Sequence, residues 1–130
     1  MAKITKEMKA MIANQSAFIA TVSADGTPSI VTKGTTQVLD DEHIVFFELS
    51  GGRTWENLQK NPNVAIGVAD KSTIQGYRFV GKAEFITEGE LYESAKKIAE
   101  MLKIPTPPKA AVKVKVDAIY NLGAGGQKID

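Results

Sequence analysis

The stretch SGGRTWENLQKNP, residues 50–62, sets two glycines, an arginine and a threonine directly before a short helical pattern. Two glycines let the backbone turn tightly and pass close to a ligand. A helix N-terminus presents unpaired N–H groups and the positive end of the helix dipole. Arg53 adds a planar fork of donors and Thr54 a hydroxyl. Together these groups describe a small anion site, with phosphate as its natural occupant. The alternative is a helix capped by Thr54 after a glycine turn, with Arg53 in solvent. A second stretch, VTKGTT at 31–36, carries Lys33 among Thr32, Thr35 and Thr36. A lysine facing inward from a barrel strand needs an anionic partner. The same threonines would equally suit a solvated strand face. Taken together, the two stretches favour a phosphate.

Other chemistry finds less support. His43 is the single histidine, placed at a turn-to-strand junction with no second metal ligand near it in sequence. No nucleophile elbow accompanies it, so serine–histidine–acid catalysis is not expected. The chain has no cysteine, which removes disulfides, thiolate metal sites and a cysteine nucleophile. The acidic pairs Asp40/Asp41 and Glu88/Glu90 lie in a turn and at a helix start, where capping accounts for them. GAGG at 123–126 lacks the strand–loop–helix setting of a dinucleotide fingerprint. Most of the aromatics fall in strand-like segments and are read as core, with base stacking as the lesser alternative.

At 130 residues the chain is read as one domain, 1–130, able to bury its own core. A hydrophobic share of 43% with 24% charged residues is ordinary for a globular protein. The net charge of +1 gives no field that favours nucleic acid or a membrane surface. The N-terminal MAKITKEMKAMIAN has no apolar core of a signal peptide. No apolar run approaches the ~18 residues of a membrane span. A cysteine-free chain of this kind fits the cytoplasm.

The elements that must position the two stretches follow from periodicity. Ile4, Met8, Met11 and Ile12 share a helical face over 4–14, with Thr5 as N-cap. AFIATVS (17–23) reads as a strand ending at the hairpin pair Asp25-Gly26. SIVTKGTTQVL (29–39) reads as a second strand with a bulge at Gly34, and HIVFFEL (43–49) as a third. A helix at 54–60 stops at Asn61-Pro62. NVAIGVAD (63–70) and TIQGYRFVGKAEFI (73–86) are the fourth and fifth strands, the latter bent at Gly76 and Gly81. Thr87 and Glu90 are read as a capping box for a helix to about 103, with Leu91, Ala95, Ile98 and Leu102 as its stripe. AAVKVKVDAIYNL (110–122) alternates, with Val112, Val114 and Val116 facing in, and a flexible tail follows from about 123. A parallel βαβ sheet fits badly, because short turns join most of the strands. The expectation is a mainly β fold with accessory helices, built on a six-stranded antiparallel barrel.

With these elements in place, the sequence resembles the FMN-binding split-barrel family of pyridoxamine 5′-phosphate oxidase-like proteins over about residues 5–122. VFFELSGGRTWENLQKNP (45–62) is similar to the family's strand, glycine-containing turn, basic phosphate-binding pair and helix ending in Asn-Pro. The resemblance implies that Arg53 and Thr54 hold the FMN phosphate, since the family usually carries lysine or threonine at the second position. Phe47 and Glu48 match strand positions that line the flavin, where glutamate is an unusual choice. Val31, Thr32, Lys33, Gly34 and Thr35 match the strand bordering the isoalloxazine ring. QGYRFVG (75–81) resembles the strand where a glutamine near the ring precedes an arginine and a glycine. Gln75, followed by Gly76, stands one position early.

The implied architecture is a six-stranded antiparallel split β-barrel that forms a homodimer with two flavins at the subunit interface. After the last strand the sequence lacks the longer segment with which the vitamin-synthesising oxidases complete their pyridoxal phosphate site, so that activity is not expected. One arginine at a helix N-terminus suits a single terminal phosphate, which favours FMN over FAD. The expected function is an FMN-dependent oxidoreductase of a small molecule, with NADH or NADPH as donor. The alternative is a non-enzymatic FMN-binding or electron-transfer protein. A third reading is a barrel holding haem, a deazaflavin or nucleic acid. The lone His43 argues against haem, and the near-neutral charge against nucleic acid.

Overall fold

The computed structural model of the chain describes residues 2–123 and 125–130. Its elements run α1 (Lys6–Asn14), β1 (Ala17–Val22), β2 (Pro28–Thr32), β3 (Gln37–Val38), β4 (His43–Glu48), α2 (Arg53–Lys60), β5 (Asn63–Asp70), β6 (Gln75–Ile86), α3 (Glu90–Met101) and β7 (Ala110–Asn121). All strands belong to one seven-stranded sheet in the order β2-β1-β5-β6-β7-β4-β3, and every pairing is antiparallel.

That order forces the sheet to curl. β2 and β3 are opposite edges, yet only residues 33–36 join them. Such a connection spans at most roughly 18 Å, whereas the edges of a flat sheet of this width stand about 29 Å apart. The sheet therefore rolls towards closure, as a split barrel. Its interior is filled by the inward residues of the alternating strands, among them Ile19, Ile44, Phe46, Ile66, Phe79 and Val112. α1 adds Met8 and Ile12 to this core, and α3 covers the outer side of β4 and β7 by packing Ala95 against Val45, Phe47 and Ala111.

Local chemistry sets most boundaries. Thr5 caps α1, its hydroxyl accepting from the Met8 amide at 3.3 Å. In the β1–β2 hairpin Gly26 takes φ +87°, and the Ser23 amide donates to the Thr27 carbonyl at 3.0 Å. The Asp25 carboxylate accepts from the Ser23 hydroxyl and from the Thr27 amide. In β7, Val112, Val114 and Val116 are buried while Lys115 and Asp117 face solvent, as the alternation predicts.

Four expectations need correction. The second strand is two strands, β2 and β3, so the sheet has seven strands rather than six. Thr36 causes the break: its amide and hydroxyl both donate to the Lys33 carbonyl, at 3.1 and 2.7 Å, which folds 33–36 into a turn. Gly34 lies in that turn and is not a bulge. The register shift sits instead at Val80/Gly81, where a Cβ on Gly81 would collide with the Lys115 carbonyl. Finally, Thr87 and Glu90 form no capping box. Gly89, at φ +90°, turns the chain and becomes the N-cap without a side-chain bond, so α3 starts beyond the reach of Thr87. Leu102 ends that helix exposed rather than on its packed stripe.

Beyond β7 the chain returns along it, with the Asn121 amide donating to the Gln127 carbonyl at 2.8 Å and the Ile129 amide to the Ile119 carbonyl at 2.7 Å. The GAGG stretch includes Ala124, which lies outside the described residues. Among the described residues no helix is long and apolar enough to cross a membrane.

Candidate functional site

The glycine loop delivers an uncapped helix end. Gly51 and Gly52 take φ of +86° and +131°, conformations that favour glycine, and the chain enters α2 at Arg53. Gly52 is the N-cap and offers no side chain, so among the described residues the helix start has no side-chain cap for its first-turn N–H groups. Thr54 does not cap the helix. It lies within the first turn, 3% exposed, and its hydroxyl finds no hydrogen-bond partner among the described residues. The helix is held in place from its next turn, where the buried Asn57 amide donates to the Thr21 hydroxyl of β1 at 3.0 Å. Arg53 is exposed and borders a cleft of about 300 Å³ with Ser23, Asp25, Glu56 and Lys60. The Ser23 hydroxyl bonded to Asp25 holds that carboxyl well below its usual range, at about 2. The cleft thus balances the cations Arg53 and Lys60 against the carboxylates Asp25 and Glu56.

Opposite this loop in sequence, the 33–36 turn meets the end of β4. Lys33 Nζ lies 2.9 Å from Glu48 Oε1, and Glu48 is 1% exposed. The second carboxylate oxygen, Oε2, is buried and has no partner among the described residues. The Phe47 amide donates to the Thr35 hydroxyl at 3.0 Å, and the Glu48 carbonyl accepts from the Lys109 amide at 2.8 Å. Lys33 therefore does have the anionic partner that an inward lysine requires, and the partner is Glu48. Sequence reasoning singled out both residues but did not pair them. Asn57 was missed altogether, because a polar residue in a short polar helix reads as solvated.

The site residues expected from the sequence are thus brought together in pairs rather than in one pocket. Thr32, Lys33 and Gly34 border an open groove of about 840 Å³ against the end of α1. Val31 packs against the core from β2. Gln75 and Gly76 line a third cleft of about 280 Å³ at the β5–β6 turn, beside Ile74 and Leu122. The three clefts share no lining residue. Gly76 is confined there, since a Cβ would lie 2.8 Å from the Val68 carbonyl.

Residues 4–123 match the family model described as pyridoxamine 5′-phosphate oxidase. The chain belongs to the pyridoxamine 5′-phosphate oxidase family. Within reach of this family lies an uncharacterized protein of Methanocaldococcus jannaschii, 35% identical over 125 residues, which are 95% of this chain and 83% of that protein. The crystal structure of HupZ from group A Streptococcus is 41% identical, with a TM-score of 0.82 over 95% of this chain and 98% of that one. An FMN-binding protein of Syntrophomonas wolfei shares the fold at 17% identity, with a TM-score of 0.74 over 88% of this chain and 83% of that one.

Proposed function

We propose that this chain binds FMN and works as an oxidoreductase on a small molecule, as a homodimer. The observation that carries the reading is the orphaned, buried hydroxyl of Thr54 at an uncapped helix N-terminus. A hydroxyl, free first-turn N–H groups and an arginine form a donor set that suits a terminal phosphate. Arg53 and Thr54 would hold that phosphate. Membership of the oxidase family and the FMN-binding neighbour of the same fold support a flavin over other phosphates. When bound, the flavin supplies hydride or electron transfer, and the chain's own residues bind, orient and shield it. The cysteine-free sequence fits a cytoplasmic setting.

Two features support the homodimer reading. Phe18 and Ile30 stand on the outer face of β1 and β2 at 43% and 67% exposure, an apolar surface that a second copy would cover. Gln75 and Gly76, which the family resemblance sets near the ring, lie in a cleft apart from Lys33, Glu48 and Thr54. A site shared between two copies reconciles these positions. Sedimentation of the FMN-loaded protein tests this, and a monomer with full occupancy would refute it.

A second reading, FMN binding without catalysis, is favoured by one observation. Lys33 and Glu48, the titratable pair at the end of β4, are locked to each other. The deciding experiment is the visible absorption spectrum of the purified protein followed by anaerobic mixing with NADH or NADPH. Bleaching of the flavin bands at a catalytic rate supports an oxidoreductase. A flavin that stays oxidised with both donors supports the non-enzymatic reading. A colourless protein that ignores added FMN refutes both.

A further inference from the structure

Glu48 shares its strand face with Ile44 and Phe46, whose cross-strand neighbours Val114 and Val112 belong to the core. An ionised carboxylate there is an acceptor only, with capacity for about four hydrogen bonds. Lys33 serves Oε1 at 2.9 Å, and Oε2 is left with no partner among the described residues. A buried ion pair offsets its desolvation only when its remaining lone pairs are also satisfied. The Lys33–Glu48 pair fails that condition by one oxygen.

The chemistry of the vacant partner is constrained. A phosphate oxygen is negative and an acceptor, so it cannot satisfy Oε2. An N–H or O–H donor can. Glu48 and Thr54 flank the Gly51–Gly52 loop in sequence, and the Thr54 hydroxyl and Glu48 Oε2 are both buried without a partner among the described residues. One suits an anionic end of a molecule and the other a donor-bearing part of it. We infer that Glu48 is a specificity residue that accepts a hydrogen bond through Oε2 from an N–H or O–H of the bound molecule, with Lys33 as the residue that positions it. The inference rests on the flavin reading above. In FMN the donor is either the imide N–H of the ring or a hydroxyl of the ribityl chain. A ligand whose polar edge is all carboxylate is repelled at the same point.

The test is calorimetric titration of FMN into wild type, Glu48→Ala, Glu48→Gln and Lys33→Met, with circular dichroism confirming each fold. Glu48→Ala should weaken FMN roughly ten- to a hundred-fold. Glu48→Gln keeps a neutral acceptor in nearly the same place and should cost about three- to ten-fold. Lys33→Met should weaken FMN in the wild-type background and add nothing in the Glu48→Ala background, as a positioning role requires. Two further probes locate the donor. N3-methylated FMN loses affinity for wild type but not for Glu48→Ala if the ring imide is read. Lumiflavin, which lacks the ribityl chain, binds wild type and Glu48→Ala alike if a hydroxyl is read. If wild type binds FMN and the folded Glu48 variants bind it within two-fold as tightly, the inference is overturned and the ion pair is structural. If wild type ignores FMN, the flavin reading falls first and takes this inference with it.

Discussion

Thr54→Val separates a binding hydroxyl from a structural one, because it should move stability and affinity in opposite directions. Thr54 is 3% exposed and its hydroxyl has no partner among the described residues, while the side chain otherwise fills its place in the first turn of α2. Valine has nearly the same shape and a similar helix propensity. A buried hydroxyl without a partner costs about 1–3 kcal/mol. Removing it should therefore stabilise the apo form by about 1 kcal/mol, or roughly 3–5 °C in Tm for a domain of this size. The same change removes one charge-assisted bond to a phosphate, worth about 1.5–3 kcal/mol, so FMN should bind roughly ten- to a hundred-fold more weakly. Thermal melts with and without FMN, beside a fluorescence titration, read both effects. Thr54→Ser keeps the hydroxyl and should keep the affinity. An apo form destabilised by Thr54→Val would show that the hydroxyl has an internal partner. An unchanged FMN affinity would show that it meets no phosphate.

Arg53→Ala should weaken FMN by about ten- to a hundred-fold and leave riboflavin, which lacks the phosphate, nearly unchanged. The ratio of the two affinities is the measurement, and an equal ratio in wild type and variant would return Arg53 to solvent. Gly81→Ala should destabilise the fold by about 1–3 kcal/mol in urea unfolding, because its Cβ meets the Lys115 carbonyl at the β6–β7 register shift. Gly34→Ala is the matching control, since a Cβ there meets nothing within 4 Å, and its effect should stay within about 0.5 kcal/mol. Asp25 is held at about 2 by its Ser23 and Thr27 bonds, below the roughly 3.9 of an unfolded chain. Its contribution is therefore present above about pH 4 and lost as the pH falls towards about 2. Urea midpoints of Asp25→Asn should fall less steeply than wild type across that window, and parallel curves would contradict the assignment.

The strands were readable wherever one face is buried and the other wet. β5 and β7 alternate almost residue by residue, so their starts at Asn63 and Ala110 follow from pattern alone. The break between β2 and β3 was not readable, because it depends on one threonine capturing one carbonyl in a run that otherwise has strong β propensity. The start of α3 was misplaced for a related reason: Thr87 and Glu90 have the capping spacing, but the turn at Gly89 takes Thr87 away from the helix axis. At the candidate site, residue types pointed to Lys33, Glu48, Arg53 and Thr54. Their relations did not follow. Lys33 and Glu48 are 15 positions apart and meet because the β3–β4 hairpin, in the register Gln37↔Val45, brings the 33–36 turn alongside the end of β4, a register that residue types alone do not encode. The burial of Thr54 depends on how α2 lies against β1, through Asn57 and Thr21, which no local pattern encodes.

The central claim is that the glycine loop and α2 hold the phosphate of a flavin. Calorimetric titration of the purified, flavin-free protein with FMN, with riboflavin in a parallel cell, tests it most directly. The account predicts saturation at one FMN per chain, with riboflavin bound at least ten-fold more weakly for want of the phosphate. No heat with FMN, or equal affinity for the two, would contradict it.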